Sequence, residues 1–227
     1  MTTVALVGPD GAGKTTVARR LEDALGIPVR YLYMGVSADS SNAILPTTRV
    51  ARRLKRALGA PPDTAGPPSH AARPGRPRSP IKRLAADART GLRLANRSAE
   101  EWYRQLLAWK WQRRGVVVIF DRHFFIDYHA YDVSTEHARS VSQRLHGLLL
   151  DKLYPKPHLV VYLDAPAEVL LARKGEGSLD ALERRRGEYR AIAAHVPRFV
   201  EVDATRPIDE VVEAVAGHIL RVARRRK

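Results

Sequence analysis

The stretch VALVGPDGAGKTTVARRL, residues Val4 to Leu21, decides how the rest of this chain reads. Four apolar residues, Val4 to Val7, predict a short buried strand. Val17, Ala18, Leu21 and Leu25 recur at helical spacing and predict a helix that begins at once after the glycines. Between them stands GxxxxGK[ST], Gly8 to Thr15, in the strand–loop–helix setting a phosphate loop requires. Glycine at 8, 11 and 13 allows backbone angles that turn successive N–H groups inward on a phosphate. The following helix points its positive end at the same place. Gly8, Gly11, Ala12, Gly13, Lys14, Thr15 and Thr16 are therefore the residues expected to hold the phosphates of a nucleoside triphosphate. Lys14 supplies a point charge to the outer phosphates and the Thr15 hydroxyl a ligand for Mg²⁺.

At 227 residues and 44% hydrophobic content the chain suits one domain, residues 1–227, carrying an insertion. No apolar run approaches the roughly 20 residues of a membrane span. The first strand begins too early for a signal peptide, and there is no cysteine for disulfides or thiolate metal sites. A soluble, cytoplasmic protein is expected. The net charge of +15 is regional: residues 49–114 hold 17 Lys or Arg against Asp63, Asp87, Glu100 and Glu101, and Arg221, Arg224, Arg225, Arg226 and Lys227 close the chain. Such a region attracts nucleic acid, anionic lipid or a polyanionic substrate. However, 31 of the 39 basic residues are Arg, which an arginine-biased composition explains equally well. No aromatic residue interleaves the cluster between 49 and 101 as single-strand readers require, so nucleic acid is the weaker reading of it.

Further strands are predicted at 29–33, 116–120, 159–164 and 199–203, with 116–120 the most apolar run and therefore central in the sheet. Residues 37–49 read as a loop at a strand's carboxyl end, where α/β sheets bind ligands, and 49–58 as a basic helix. Residues 59–80 carry seven prolines and three glycines with almost no large apolar side chain, and read as a mobile insertion. Helix resumes over 81–114 with a break near Gly91. Leu106, Leu107 and Trp111 mark its buried face, with Trp102 and Tyr103 one turn earlier. Helices are expected over 136–153, from Pro166 to an interruption at 174–178, over 179–195, and over 207–224. Strands alternating with helices imply a three-layer α/β phosphate-loop NTPase or kinase fold, a five-stranded parallel sheet flanked by helices.

Asp121 follows the apolar strand directly, which in a phosphate-loop protein sets a carboxylate beside the bound metal or the acceptor phosphate. Arg122 enters the same cleft and suits a phosphate bidentately. GPDGAGKTT at 8–16, FDRHFFIDYHAYD at 120–132 and KPHLVVYLDAPAEVLLARKGEGSLDALERR at 156–185 together resemble the thymidylate kinase family of phosphate-loop proteins, over roughly residues 1–35 and 94–220. The resemblance implies transfer of the γ-phosphoryl group of ATP, with Mg²⁺, to a nucleoside monophosphate such as dTMP. It implies Asp10 and Tyr131 near the acceptor sugar, and Asp121 and Arg122 on the acceptor phosphate and metal. It also implies a mobile lid over 171–187. With no arginine inside the phosphate loop, the positive charge for the transferring group must come from that lid. Arg173 is the first candidate, followed by Lys174, Arg184 and Arg185. Family members are often dimers, so a homodimer is a further expectation, although no exposed apolar stripe is legible in the sequence.

The departures concern the acceptor. Met34-Gly35 and then Asn42 stand where the family has a proline motif with an arginine, and Arg49 substitutes for it only at longer spacing. Arg97 matches a family arginine, but Arg93 and Leu94 precede it where an aromatic residue stacks on thymine. LDALE at 179–183 lacks the lid's usual arginine, and Asp132 replaces a common glutamine. Two other readings stay open: a kinase of a different nucleoside or of a sugar, and a nucleotide-dependent protein whose basic insertion grips nucleic acid or another polyanion.

Overall fold

All five expected strands are present and all run parallel. In this computed structural model, which describes residues 2–35, 41–57, 80–133, 141–175 and 177–225, β1 (Thr3–Val7), β2 (Val29–Tyr33), β3 (Val117–Asp121), β4 (Leu159–Asp164) and β5 (Phe199–Asp203) form one sheet in the order β2-β3-β1-β4-β5. β1, β3 and β4 are buried along their whole length, as strands covered on both faces must be. The centre belongs to β1. β3 is interior but lies second from the edge, because any strand covered on both faces reads as a continuous apolar run whatever its place in the order.

The period-two alternation of β1 divides the core between two layers. Val4 and Leu6 face α1 (Lys14–Ala24) and α8 (Ile208–Arg224) in one cluster. Ala5 and Val7 join Phe120, Phe125 and Tyr162 in the other. That second layer is built by α3 (Pro80–Gln112), α4 (Phe124–Tyr128), α5 (Val141–Lys152) and α7 (Leu179–Ala191). α2 (Pro46–Ala57) begins three residues before the expected basic helix, and α6 (Ala167–Lys174) follows Pro166 as expected. The insertion expected at 59–80 lies outside the described residues except for Pro80, which opens α3 at a position where its missing N–H costs nothing. Residues 36–40 and 134–140 also lie outside them.

Three expectations about the second layer are corrected. α3 is continuous through Gly91, where an added Cβ would meet nothing within 4 Å. The glycine costs the helix about 1 kcal/mol and does not break it. The buried face of α3 is only partly the expected apolar one: Trp102, Leu107 and Trp111 pack against the core, but Leu106 is 56% exposed, while Glu101, Arg104, Gln105, Ala108 and Gln112 are buried. Arg104 donates to the carbonyls of Gly35 and Ala43 at 2.8 and 3.0 Å, which ties the end of β2 to α3. Third, α5 does expose an apolar stripe, Val141, Leu145 and Leu148.

The pattern reading also missed α4 and the π-helical turn that continues it, His129–Val133. α5 rests directly on that turn, since a Cβ at Gly147 would lie 1.8 Å from the Asp132 carbonyl oxygen. Beside it His146 bridges two buried carboxylates, Asp132 at 2.7 Å and Glu101 at 3.0 Å. Among the described residues, no helix is long and apolar enough to cross a membrane.

Candidate functional site at the phosphate loop

The loop leaves β1 at the carboxyl edge of the sheet with Gly8, Gly11 and Gly13 all at positive φ, 148°, 90° and 81°. Only glycine adopts such angles cheaply, so the motif's spacing is its backbone path. Lys14 opens α1 and is 6% exposed. Its Nζ donates to the Pro9 carbonyl at 2.7 Å and lies 3.8 Å from an Asp10 oxygen. Burial, reinforced by the Arg122 charge, pulls the Lys14 pKa down to about 8.

Thr15 and Asp121, chosen from sequence as partners on a metal, meet directly: the Thr15 hydroxyl donates to Asp121 Oδ2 at 2.6 Å. The Tyr31 hydroxyl donates to the same oxygen at 3.0 Å. Burial and the Asp121 charge push the Tyr31 phenol up, so it keeps its proton and remains a donor. The other Asp121 oxygen, Oδ1, is buried without a hydrogen-bond partner. A buried carboxylate oxygen left this way suits a cation or a proton donor that arrives with a ligand. Among the described residues no group of three or more His, Cys, Asp or Glu forms a metal site. A metal held by Thr15 and Asp121 would thus take its remaining ligands from phosphate and water, as Mg²⁺ commonly does.

Lys14, Thr15 and Tyr31 open into one cleft of about 450 Å³, lined also by Asp10, Arg19, Tyr33, Arg122 and Lys174, while Asp121 is buried and reaches it through Thr15 and Tyr31. Arg122 is the only non-glycine residue at positive φ among the described residues, at 69°. Its guanidinium pairs with Asp10; burial raises the Asp10 carboxyl, but the Arg122 and Lys14 charges outweigh it and hold that carboxyl below its ordinary range. A Cβ at Gly35 would approach Arg122 Cδ and the Tyr33 hydroxyl to 2.5 Å, so this glycine leaves the space Arg122 occupies.

The lid residues separate. Arg173 and Lys174 are neighbours at the end of α6, yet Lys174 lines the phosphate cleft and Arg173 does not. Arg173 donates to the Ala204 carbonyl at 2.9 Å and lines a smaller cavity of about 300 Å³ on the other side of the loop, with Thr16, Ile208 and Val211. Arg184 is exposed on α7. Arg185 lies over the Tyr189 ring and 3.6 Å from Asp127. Arg186 forks onto both oxygens of Asp164 at 2.8 and 2.7 Å.

Other expected acceptor contacts stand elsewhere. Asn42 spends its amide on the free edge of β2, accepting from Tyr33 N at 3.0 Å and donating to Tyr31 O at 2.9 Å. This closes part of an open strand edge, and the side chain is not presented to a ligand. Arg97 lies over the Tyr128 ring and 3.6 Å from Asp132, and Arg49 is exposed on α2; neither lines the cleft. The Tyr131 side chain lies outside the described residues. Sequence reasoning missed Tyr31, although alternation along β2 puts it on the same face as Tyr33. It also missed Asp127, a buried carboxylate on α4 that accepts from the Tyr189 hydroxyl at 3.3 Å. The fold and the loop define a three-layer phosphate-loop α/β protein; no family model matches the chain.

Proposed function

We propose that this protein transfers the γ-phosphoryl group of ATP, with Mg²⁺, to a small acceptor, in the first place a nucleoside monophosphate. The observation that carries the reading is the convergence of Lys14, Thr15, Arg122 and Lys174 on one cleft at a phosphate loop, with buried Asp121 bonded to Thr15. Lys14 and the loop N–H groups hold the donor phosphates, and Thr15 with Asp121 holds the metal, which neutralises phosphate charge when bound. Arg122 orients the acceptor, and Lys174 meets the charge that spreads over the transferring group. The cavity beside Arg173 suits the donor base, with an apolar wall from Ile208 and Val211. The bond between the β–γ bridging oxygen and Pγ breaks as an acceptor oxygen bonds to Pγ, and the protein's contribution is positioning and electrostatics.

A second reading, a hydroxyl acceptor on a nucleoside or sugar, is favoured by one observation. Arg122 already carries Asp10, while Asp121 Oδ1 is unpartnered, as a group waiting to accept a hydroxyl proton would be. A phosphate acceptor arrives ionised and needs no such base. Acceptor-dependent ADP release across a panel of nucleoside monophosphates, nucleosides and sugars separates the two, and no release with any of them overturns both. In Asp121→Asn, ATP affinity is expected to stay within about tenfold while turnover falls on the order of 10². Unchanged turnover removes Asp121 from the site.

A further inference from the structure

At the amino-terminal end of the strands, away from the phosphate loop, lies a second cavity of about 540 Å³. Thr3 lines it, and β1 then runs about 13 Å to Val7 before the loop begins, so the two openings belong to opposite ends of the sheet. One wall is α3, which presents Gln105, Trp109 and Gln112. The two glutamines stand seven residues apart, two turns along one helix face. Both are buried, at 2% and 6% exposure, and Gln105 Oε1 has no hydrogen-bond partner. A buried amide oxygen left unpaired is destabilising, and nothing in the phosphate cleft accounts for it.

The opposite rim is basic, with Lys156, His158 and Arg225, and among the described residues no carboxylate lines the cavity. Lys156 lies 4.5 Å above the Phe125 ring centre. Its partner Asp151, at 3.4 Å, is shared with Lys152, so the rim keeps a net positive charge. His158 Nδ1 accepts the Thr3 N–H at 3.0 Å, which leaves the ring proton on Nε2 as a donor. Half-buried Trp109 and the buried Phe120 supply aromatic surface between the amides and the cations. The volume falls within the range of small-molecule sites.

We propose that this cavity binds a small anion bearing a planar ring, of the nucleoside monophosphate class. Lys156 and Arg225 receive the phosphate, Trp109 the ring face, and the Gln105 and Gln112 amides the polar edge of the base. Amides suit a base edge because each offers a donor and an acceptor side by side. The site is independent of the chemistry assigned to the phosphate cleft.

All three tryptophans lie on α3, so their emission reports occupancy. Protein saturated with a non-hydrolysable ATP analogue is titrated with AMP, GMP, CMP and dTMP, with inorganic phosphate and the free nucleosides as controls. A saturable change is expected with at least one monophosphate, and binding about tenfold or more weaker for phosphate alone and for the nucleoside. Lys156→Met with Arg225→Met is expected to weaken it about tenfold or more. Gln105→Leu separates binding from folding: it is expected to keep or raise Tm while weakening the monophosphate. No change with any of the four nucleotides, equal affinity for inorganic phosphate or nucleoside, or a change the rim variants leave intact overturns the proposal.

Discussion

Lys14 sets the behaviour of the site at the scale of a residue. Its ammonium sits in a buried position between the Pro9 carbonyl and the Arg122 charge, with a pKa near 8. A bound triphosphate favours the protonated form, so binding takes up a proton once the free protein has begun to lose it. ATP affinity is expected to hold up to about pH 8 and then weaken, approaching tenfold per unit. Titration calorimetry in buffers of different ionisation enthalpy reads the proton directly, and an affinity flat from pH 7 to 9.5 contradicts the assignment. Gly35 acts by what it lacks. The Cβ of Gly35→Ala would intrude on Arg122 and Tyr33, both in the cleft. ATP affinity is expected to change little while turnover falls, by up to about 10² if Arg122 moves by an ångström. Steady-state kinetics with a separate ATP-binding measurement tests this.

The contact between α3, the π-helical turn and α5 is where elements depend on one another. His146 stands between Asp132 and Glu101, with Arg97 and the Tyr128 ring against the same cluster. Burial opposes its charge, but the two carboxylates outweigh burial and raise its pKa. Since the folded value exceeds the unfolded one of about 6.5, the stabilisation is complete below that pH. It is lost as pH climbs through the folded pKa. His146→Gln leaves two buried carboxylates without their shared cation and is expected to cost about 3 kcal/mol near pH 6, with a smaller difference from wild type at pH 9. Urea unfolding at the two pH values measures it, and an equal loss at both would mean that His146 acts by packing alone.

For the molecule as a whole, the basic residues between 49 and 114 that are described do not line the phosphate cleft, whose lining among the described residues comes from residues 10–33, Arg122 and Lys174. Removing residues 59–79 is accordingly expected to leave ATP affinity within about twofold. If the basic insertion grips a polyanion, the same deletion lowers heparin affinity and flattens its salt dependence. A deletion that abolishes ATP binding in a folded protein would show that the two regions are not separable.

The loop, the five strands and the place of Asp121 at a strand end were legible in the amino-acid order because each depends on local signals. Glycine spacing prescribes a backbone path, apolar runs prescribe covered strands, and a carboxylate after such a strand reaches the edge where the loop lies. The partners of polar side chains were not legible, because a glutamine or an arginine carries no mark of what it will meet. Leu106 advertised a buried face on α3, yet Arg104, Gln105 and Glu101 occupy that face, made tolerable for Arg104 and Glu101 by carbonyls and a histidine from distant segments. Asn42 looked like a ligand contact and closes a strand edge instead. Arg173 stood ahead of Lys174 as the expected lid cation, but neighbours on a helix point about 100° apart. Tertiary packing therefore turned one toward the phosphate cleft and the other toward the cavity across the loop.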